Sequence, residues 1–217
     1  MANTFPSQNP ADDGTLTGLM KLAVRKAAQD MNVMMPVEVI SYDRASNRAV
    51  VKHMVQMRAS DGQAVSRAQI ASIRVQQFGN AKFSVSLPIK PGDKGWLVAA
   101  DRDISVFQQD IATENPPNTD RAHSFEDGVF MPDAMGAGDV PAGEGDRVVI
   151  GSVSGGAIWS LDDDGVYITV GGVKVEITAA GVAITGGLVT HDARNIGSTH
   201  VHTLVTPGTE ESGPPPL

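Results

Sequence analysis

The spacing of apolar positions along the chain changes character twice. Leu16, Leu19, Met20, Ala23, Val24, Ala27 and Met31 recur at the three-and-four interval of a helix. Asp12 and Asp13 precede them and suit both a cap and the positive end of the helix dipole. The spacing predicts an amphipathic helix over about 15–31, and one apolar stripe on a lone terminal helix must be buried against the next domain or a neighbouring subunit. Only Lys21, Arg25 and Lys26 are basic there, so protein packing fits the stripe better than a membrane surface does. The residues before the helix carry Pro, Asn, Ser and Asp without any period. They read as an arm without a fold of its own until it meets a partner.

Pro36 closes the helix, and to about residue 110 the pattern is that of strands: VEVISYD, AVVKHMVQM, IASIRVQQF, FSVSLPI, GWLVAAD and SVFQQ. Turns fall at Asn47, Asp61-Gly62, Gly79-Asn80 and Pro91-Gly92-Asp93. Short strands with turn signals at this pitch predict a small barrel or sandwich, and a five-stranded barrel of the oligonucleotide/oligosaccharide-binding (OB) type fits the length. Trp96 and Trp159 fall within apolar strands and read as core. Residues 111–146 are rich in Pro, Gly and Asp (ENPPNTD, MPDAMGAGDVPAGEGD) and read as a linker or a segment packed over a surface.

From Arg147 the pattern changes again. Gly165-Val166-Tyr167-Ile168-Thr169 recurs as Gly181-Val182-Ala183-Ile184-Thr185, with Gly172-Val173-Lys174-Val175 between. Short alternating strands punctuated by Gly at a fixed pitch belong to a solenoid or stacked β-structure, in which each unit buries its apolar side only against neighbours. So short a stretch makes a thin solenoid, and without disulfides the remaining route to stability is association of several chains. The organisation read from the sequence is therefore an arm and helix (1–33), an OB-like barrel (34–110), a linker (111–146), a β shaft (147–190) and an apex with a tail (191–217).

Composition narrows the chemistry. The 217 residues carry 17 basic and 25 acidic side chains, a net charge of −8, the wrong sign for neutralising phosphates, so nucleic acid is not expected as a ligand. Aromatics are only 5%, which argues against base-stacking platforms and for a core of Val, Ile, Ala and Leu. There is no cysteine, which excludes thiolate metal sites and cysteine nucleophiles. The N-terminal stretch lacks the basic and then apolar pattern of a signal peptide, and no run approaches the roughly 18 apolar residues of a membrane span, so a soluble form is expected.

The candidate chemistry lies in Asn195-Ile196-Gly197-Ser198-Thr199-His200-Val201-His202. Histidines at i and i+2 of an extended segment share a face, so both imidazoles can reach one metal. Two ligands are too few, but three chains on a threefold axis supply six, enough for octahedral iron, nickel, copper or zinc. The plain alternative is a chance pair of surface histidines. Other residues carry weaker signals. His53 and His123 are isolated, His191 with Asp192 makes only a local pair, and Asp162-Asp163-Asp164-Gly165 reads as a polar turn more readily than a calcium site. Glu126-Asp127 has no partner at a defined spacing, and none of the common nucleophile, zinc or phosphate-loop motifs occurs.

Taken together, DARNIGSTHVHTLVTPG, the Gly-spaced β repeats, PIKPGDKGWLVAADRDIS and HSFEDGVFMPDAMG resemble the central spike proteins of contractile-tailed phages, the baseplate assembly protein V or membrane-piercing needle family. The resemblance spans about 36–206. It implies a mainly β homotrimer with an OB-fold collar, an intertwined triple-stranded β-helix, and an apex where His200 and His202 of each chain bind one iron ion, with Gly197, Ser198 and Thr199 as the close approach to the axis. It further implies a virion protein, made in the bacterial host cytoplasm, that caps the tail tube or binds a baseplate hub, transiently meets the host outer membrane and has no enzymatic activity. Two features depart from the simplest family pattern, a short β-helical stretch and the tail TLVTPGTEESGPPPL after the histidines. A rival reading is a carbohydrate-binding or cell-wall-degrading module, in which the barrel holds a saccharide and Asp101, Asp103 and Glu126 hydrolyse it. A third is an adaptor or effector-carrying tip of a related secretion machine.

Overall fold

A computed structural model describes residues 14–59, 62–80, 82–136 and 145–197. Helix α1 spans Leu16–Asp30, close to the expected bounds, but its cap is Thr15. The Thr15 hydroxyl accepts from the Gly18 amide at 3.0 Å, satisfying one of the amides that a first turn leaves open. Asp12 and Asp13 lie outside the described residues. Leu16, Leu19, Met20 and Val24 all remain exposed, so the stripe is not covered by the described part of its own chain.

The strands in order are β1 (Met34–Asp43), β2 (Arg48–His53), β3 (Met57–Arg58), β4 (Ala64–Val65), β5 (Gln69–Val75), β6 (Phe78–Gly79), β7 (Ser84–Val85), β8 (Lys94–Ala100), β9 (Ser124–Pro132), β10 (Val148–Gly151), β11 (Ala157–Leu161), β12 (Gly165–Val170), β13 (Val173–Thr178), β14 (Gly181–Thr185), β15 (Thr190–His191) and β16 (Arg194–Asn195). The chain divides into two compact units, one ending at Met135 and one starting at Gly136. In the first, β1-β2-β5-β9-β8 close a barrel, antiparallel throughout except for the parallel pair β5 and β9. β3 with β4 and β6 with β7 form two small ribbons.

Two expectations change here. The fifth wall of the barrel is β9, which lies inside the stretch read as a linker, and Ser105–Gln109 form turns where a strand was expected. The barrel therefore runs to Pro132 rather than to about 110. The Pro-, Gly- and Asp-rich text around β9 masked it, because SFEDGVFMP carries two acidic residues and a glycine among its apolar ones. Those acids have local reasons, given below, and the apolar residues Phe125 and Phe130 enter the core.

The core is aliphatic, as the composition requires: Val37, Val39, Ala49, Val51, Ile73, Val75 and Leu97, joined by Phe125 and Phe130. Strict alternation of buried and half-buried positions along β2 shows why the pattern was legible, since one strand face fills the barrel. The β1–β2 turn is fixed by Asp43, whose carboxylate accepts from the Ala45 amide and the Ser46 hydroxyl at 3.0 and 2.6 Å. Asn47 then takes a left-handed φ of 53°, and its side chain ties the turn to β5 by donating to the Val75 carbonyl at 2.8 Å. On β8, Gly95 lies so close to the Met131 carbonyl and the Phe130 ring that an added Cβ would strike both. Gly95→Ala should therefore destabilise the barrel by about 1–3 kcal/mol, read as a lowered midpoint in urea unfolding. An unchanged midpoint would show that the wall yields without cost.

In the second unit β10 to β14 form a five-stranded antiparallel meander in chain order. Val170 pairs with Val173 across a two-residue Gly171-Gly172 turn, with Gly171 at a φ of 57°. The sequence repeat has a direct structural meaning, because β12 and β14 flank β13 in matching register. Ile177 pairs with both Val166 and Val182, and Val175 with both Ile168 and Ile184. An intertwined triple-stranded β-helix was expected here. Within the single chain these strands pair with their sequence neighbours. A final hairpin, β15 with β16, turns through Asp192 and Ala193, both with left-handed φ.

Candidate functional site

Residues directly opposite one another across a ladder point to the same side of a sheet. Following the pairings from β10 to β14 places Val148 and Ile150, then Ala157, Trp159 and Leu161, then Val166, Ile168 and Val170, then Val173, Val175 and Ile177, then Val182 and Ile184 on one face. Every one of these is apolar. The other face carries Ser160, Tyr167, Thr169, Lys174, Glu176, Ala183 and Thr185 in addition to Val149 and Ile158.

That second face is finished as an outer surface. Tyr167 is buried beneath the Arg147 guanidinium, which lies 3.7 Å from the ring centroid, with the Lys174 ammonium at 5.5 Å. Lys174 also pairs with Glu176 at 2.7 Å. Arg147 is itself held by Asp162, whose other oxygen accepts from the Asp164 and Gly165 amides at 2.9 Å. The Asp162-Asp163-Asp164 stretch is thus a turn closed by its own first carboxylate. Hydrogen bonds and the Arg147 charge lower the Asp162 pKa, although burial opposes them and is the largest single influence.

The apolar face has no such finish. Val182 is 66% exposed, Val148 60% and Ile150 58%, and Trp159, read as core from its sequence, is 43% exposed. Continuous apolar surfaces of this kind are the sort that contacts with protein, membrane or ligand cover. Trp96, the other tryptophan, is half-buried and donates from its indole to Asp133 at 2.7 Å.

His200 and His202 lie outside the described residues, as do Ser198 and Thr199. The described chain ends at Gly197, whose amide donates to the Asn195 side chain at 2.9 Å after the Ile196 amide has bonded the Val189 carbonyl at 2.8 Å. His191 and Asp192 approach to 3.5 Å at the exposed turn before it. Among the described residues no group of three His, Asp or Glu is placed to hold a metal, and no described helix is long and apolar enough to cross a membrane.

The acids of the barrel unit form a different arrangement. Arg121 grips Asp127 with two hydrogen bonds of 2.8 and 2.9 Å, reaches Glu126 at 3.2 Å and lies 3.6 Å from Asp103. Asp103 and Asp127 are almost fully buried. Asp103 accepts from Thr119 at 2.6 Å and from the Ser105 amide at 2.9 Å. Hydrogen bonding from Ser105, then from Thr119, holds its carboxyl well below the usual range, and Arg121 adds to this. A carboxyl so held is ionised and engaged, which suits fixing the long segment between β8 and β9. Asp101 stands apart, exposed, against His123 at 3.3 Å. Sequence reasoning had no signal for the Arg121 cluster, because its members are joined only by the fold.

The Asp103 contribution to stability is present above the unfolded-state value of about 3.9 and is lost as the pH falls toward its lower folded-state value. Asp103→Asn should therefore flatten the fall in melting temperature between about pH 4 and pH 2, and calorimetry across that range checks it. The same slope in both proteins would contradict the assignment.

The strand order with its single parallel closure defines a small OB-like barrel, followed by a β-meander with one apolar face. Residues 35–133 match the family of the phage protein Gp138 N-terminal domain, a span that coincides with the barrel from the second residue of β1 to just past β9. No curated protein matches the chain. The family match supports a phage protein across that span.

Proposed function

We propose that this chain is the central spike of a contractile phage tail, a homotrimer that caps the tail tube through its N-terminal region and pierces the host outer membrane mechanically, without enzymatic chemistry. The observation that carries the reading is the wholly apolar, exposed face of β10 to β14. Three copies that turn this face toward a common axis give a three-sided shaft with an aliphatic interior and the Arg147–Tyr167–Lys174 face outward. Such a body has few sheet edges left to fray and resists axial load. The exposed stripe of α1 gives the N-terminal region a second surface for the tube or a hub protein.

The segment that leaves β16 at Gly197 carries His200 and His202, and the donor set of three chains fits an octahedral metal. Six neutral imidazoles suit iron(II). The metal would tie three chain ends together where they would otherwise unravel, adding its binding energy to the stability of the assembled tip. Virions provide the test of location. Antibody raised against the barrel should decorate the distal end of the tail in electron micrographs, and label confined to the head or absent from particles would contradict the reading. Of the acids in the saccharide-hydrolysis reading, Asp103 is engaged by Thr119, Ser105 and Arg121 and Glu126 by Arg121, while Asp101 lies exposed beside His123.

A further inference from the structure

The barrel wall has a gap. β5 and β9 pair only through Arg74 with Val129 and Val75 with Phe130, so the earlier halves of both strands are not joined to each other. Residues from these halves, Ile70 and Phe125 among them, line a cavity of about 560 Å³ that also takes in His53 and Arg67. This volume lies within the range of small-molecule sites.

His53, the last residue of β2, is only 8% exposed and lies against Phe125 with ring centroids 4.9 Å apart. Its Nδ1 and the Nε of Arg67 are buried, and neither has a hydrogen-bond partner among the described residues. Interiors rarely leave such atoms unsatisfied, and two at one cavity call for partners supplied from elsewhere: Arg67 Nε–H can only donate, and His53 Nδ1 donates in the tautomer that carries its proton there. Of the other polar side chains at the cavity, Gln69 is exposed and three are already engaged. Asn32 donates to the His123 carbonyl at 3.0 Å, Ser124 accepts from the Glu126 amide at 3.3 Å, and Glu126 is paired with Arg121.

The two unsatisfied groups differ in charge. Arg67 is a fixed cation. Burial first, and the Arg67 charge second, lower the pKa of His53 below its ordinary value, which favours a neutral ring with one N–H to place. One full positive charge and one neutral donor match a group with a single negative charge and two acceptor oxygens. The Glu126 carboxylate at the cavity disfavours a more highly charged anion. Phe125 and Ile70 provide apolar contact for a carbon skeleton.

We propose that the barrel binds a small monocarboxylic acid between β5 and β9, with its carboxylate on Arg67 Nε–H and His53 Nδ1–H and its carbon chain against Phe125 and Ile70. The site is complete within one chain and is independent of the spike reading.

Titration calorimetry of the full-length protein with sodium butyrate, at ionic strength held constant with chloride, tests it. One saturable site per chain is expected, with butyramide, which lacks the charge, bound at least about tenfold more weakly. Arg67→Met and His53→Phe should each weaken butyrate by a similar factor. Because His53→Phe can disturb the barrel, the decisive comparisons are butyramide on the wild type and Arg67→Met at the half-exposed position. Equal binding by wild type and Arg67→Met, or heats no different from those of sodium chloride at the same ionic strength, would mean an adventitious ion only and overturn the site. So would an assembled structure with an acidic side chain of another chain seated on Arg67, which would make the cavity a subunit contact.

Discussion

Ile168→Glu should turn the assembled protein into single chains. Ile168 occupies the middle of the central strand of the meander, with Trp159 opposite it on one side and Val175 on the other. If this face meets its copies around an axis, a carboxylate there is introduced once per chain and brought beside its own images with no cation on the face to pair it. Removing an unpaired carboxylate from water costs several kcal/mol, and like charges in proximity add to that. Light scattering should show the mass falling from about 68 kDa for three chains to the 22.7 kDa of one. Ala183→Lys is the control, because Ala183 pairs with Glu176 on the opposite face and should leave the mass at the trimer value. A monomer already in the wild type, or a trimer that tolerates Ile168→Glu, would contradict the apolar face as the contact.

The double substitution His200→Ala with His202→Ala should abolish bound metal, from about one ion per three chains to none by elemental analysis. Each chain then contributes neither member of the HxH pair, and His191, a single imidazole set apart at the β15–β16 turn, cannot replace a six-nitrogen set. The barrel, whose core has no member beyond Phe130, should keep its melting transition. The transition of the apex and shaft should move to lower temperature, because ligand binding to the assembled state is lost. Metal content unchanged in the double variant would sink the ligand assignment.

Where a local signal existed, the sequence was readable. The helix stripe, the strand pattern before and after the Asn47 turn and the repeat at Gly165 and Gly181 are carried by short stretches of sequence, and all appear in the fold close to where they were expected. β9 did not, because the acids that interrupt it answer to partners outside the strand. Asp127 is neutralised by Arg121, and Glu126 sits at the surface. The cap at Thr15 was displaced by two nearby aspartates that fit the same role by residue type. Trp159 read as core because a strand's apolar residues normally find cover within their own chain. Here the apolar face that carries it is left exposed by its own described chain. The unsatisfied pair at His53 and Arg67 was invisible in the sequence, since it depends on β5 and β9 staying apart until the last two residues of β5. The HxH pair was the reverse case, plain in the sequence and outside the described residues.

Native mass spectrometry of the purified full-length protein tests the trimer and the metal at its tip together. One species of three chains carrying a single iron-sized increment is expected, and the increment disappears in the His200→Ala, His202→Ala protein. A metal-free species of one 22.7 kDa chain would contradict it.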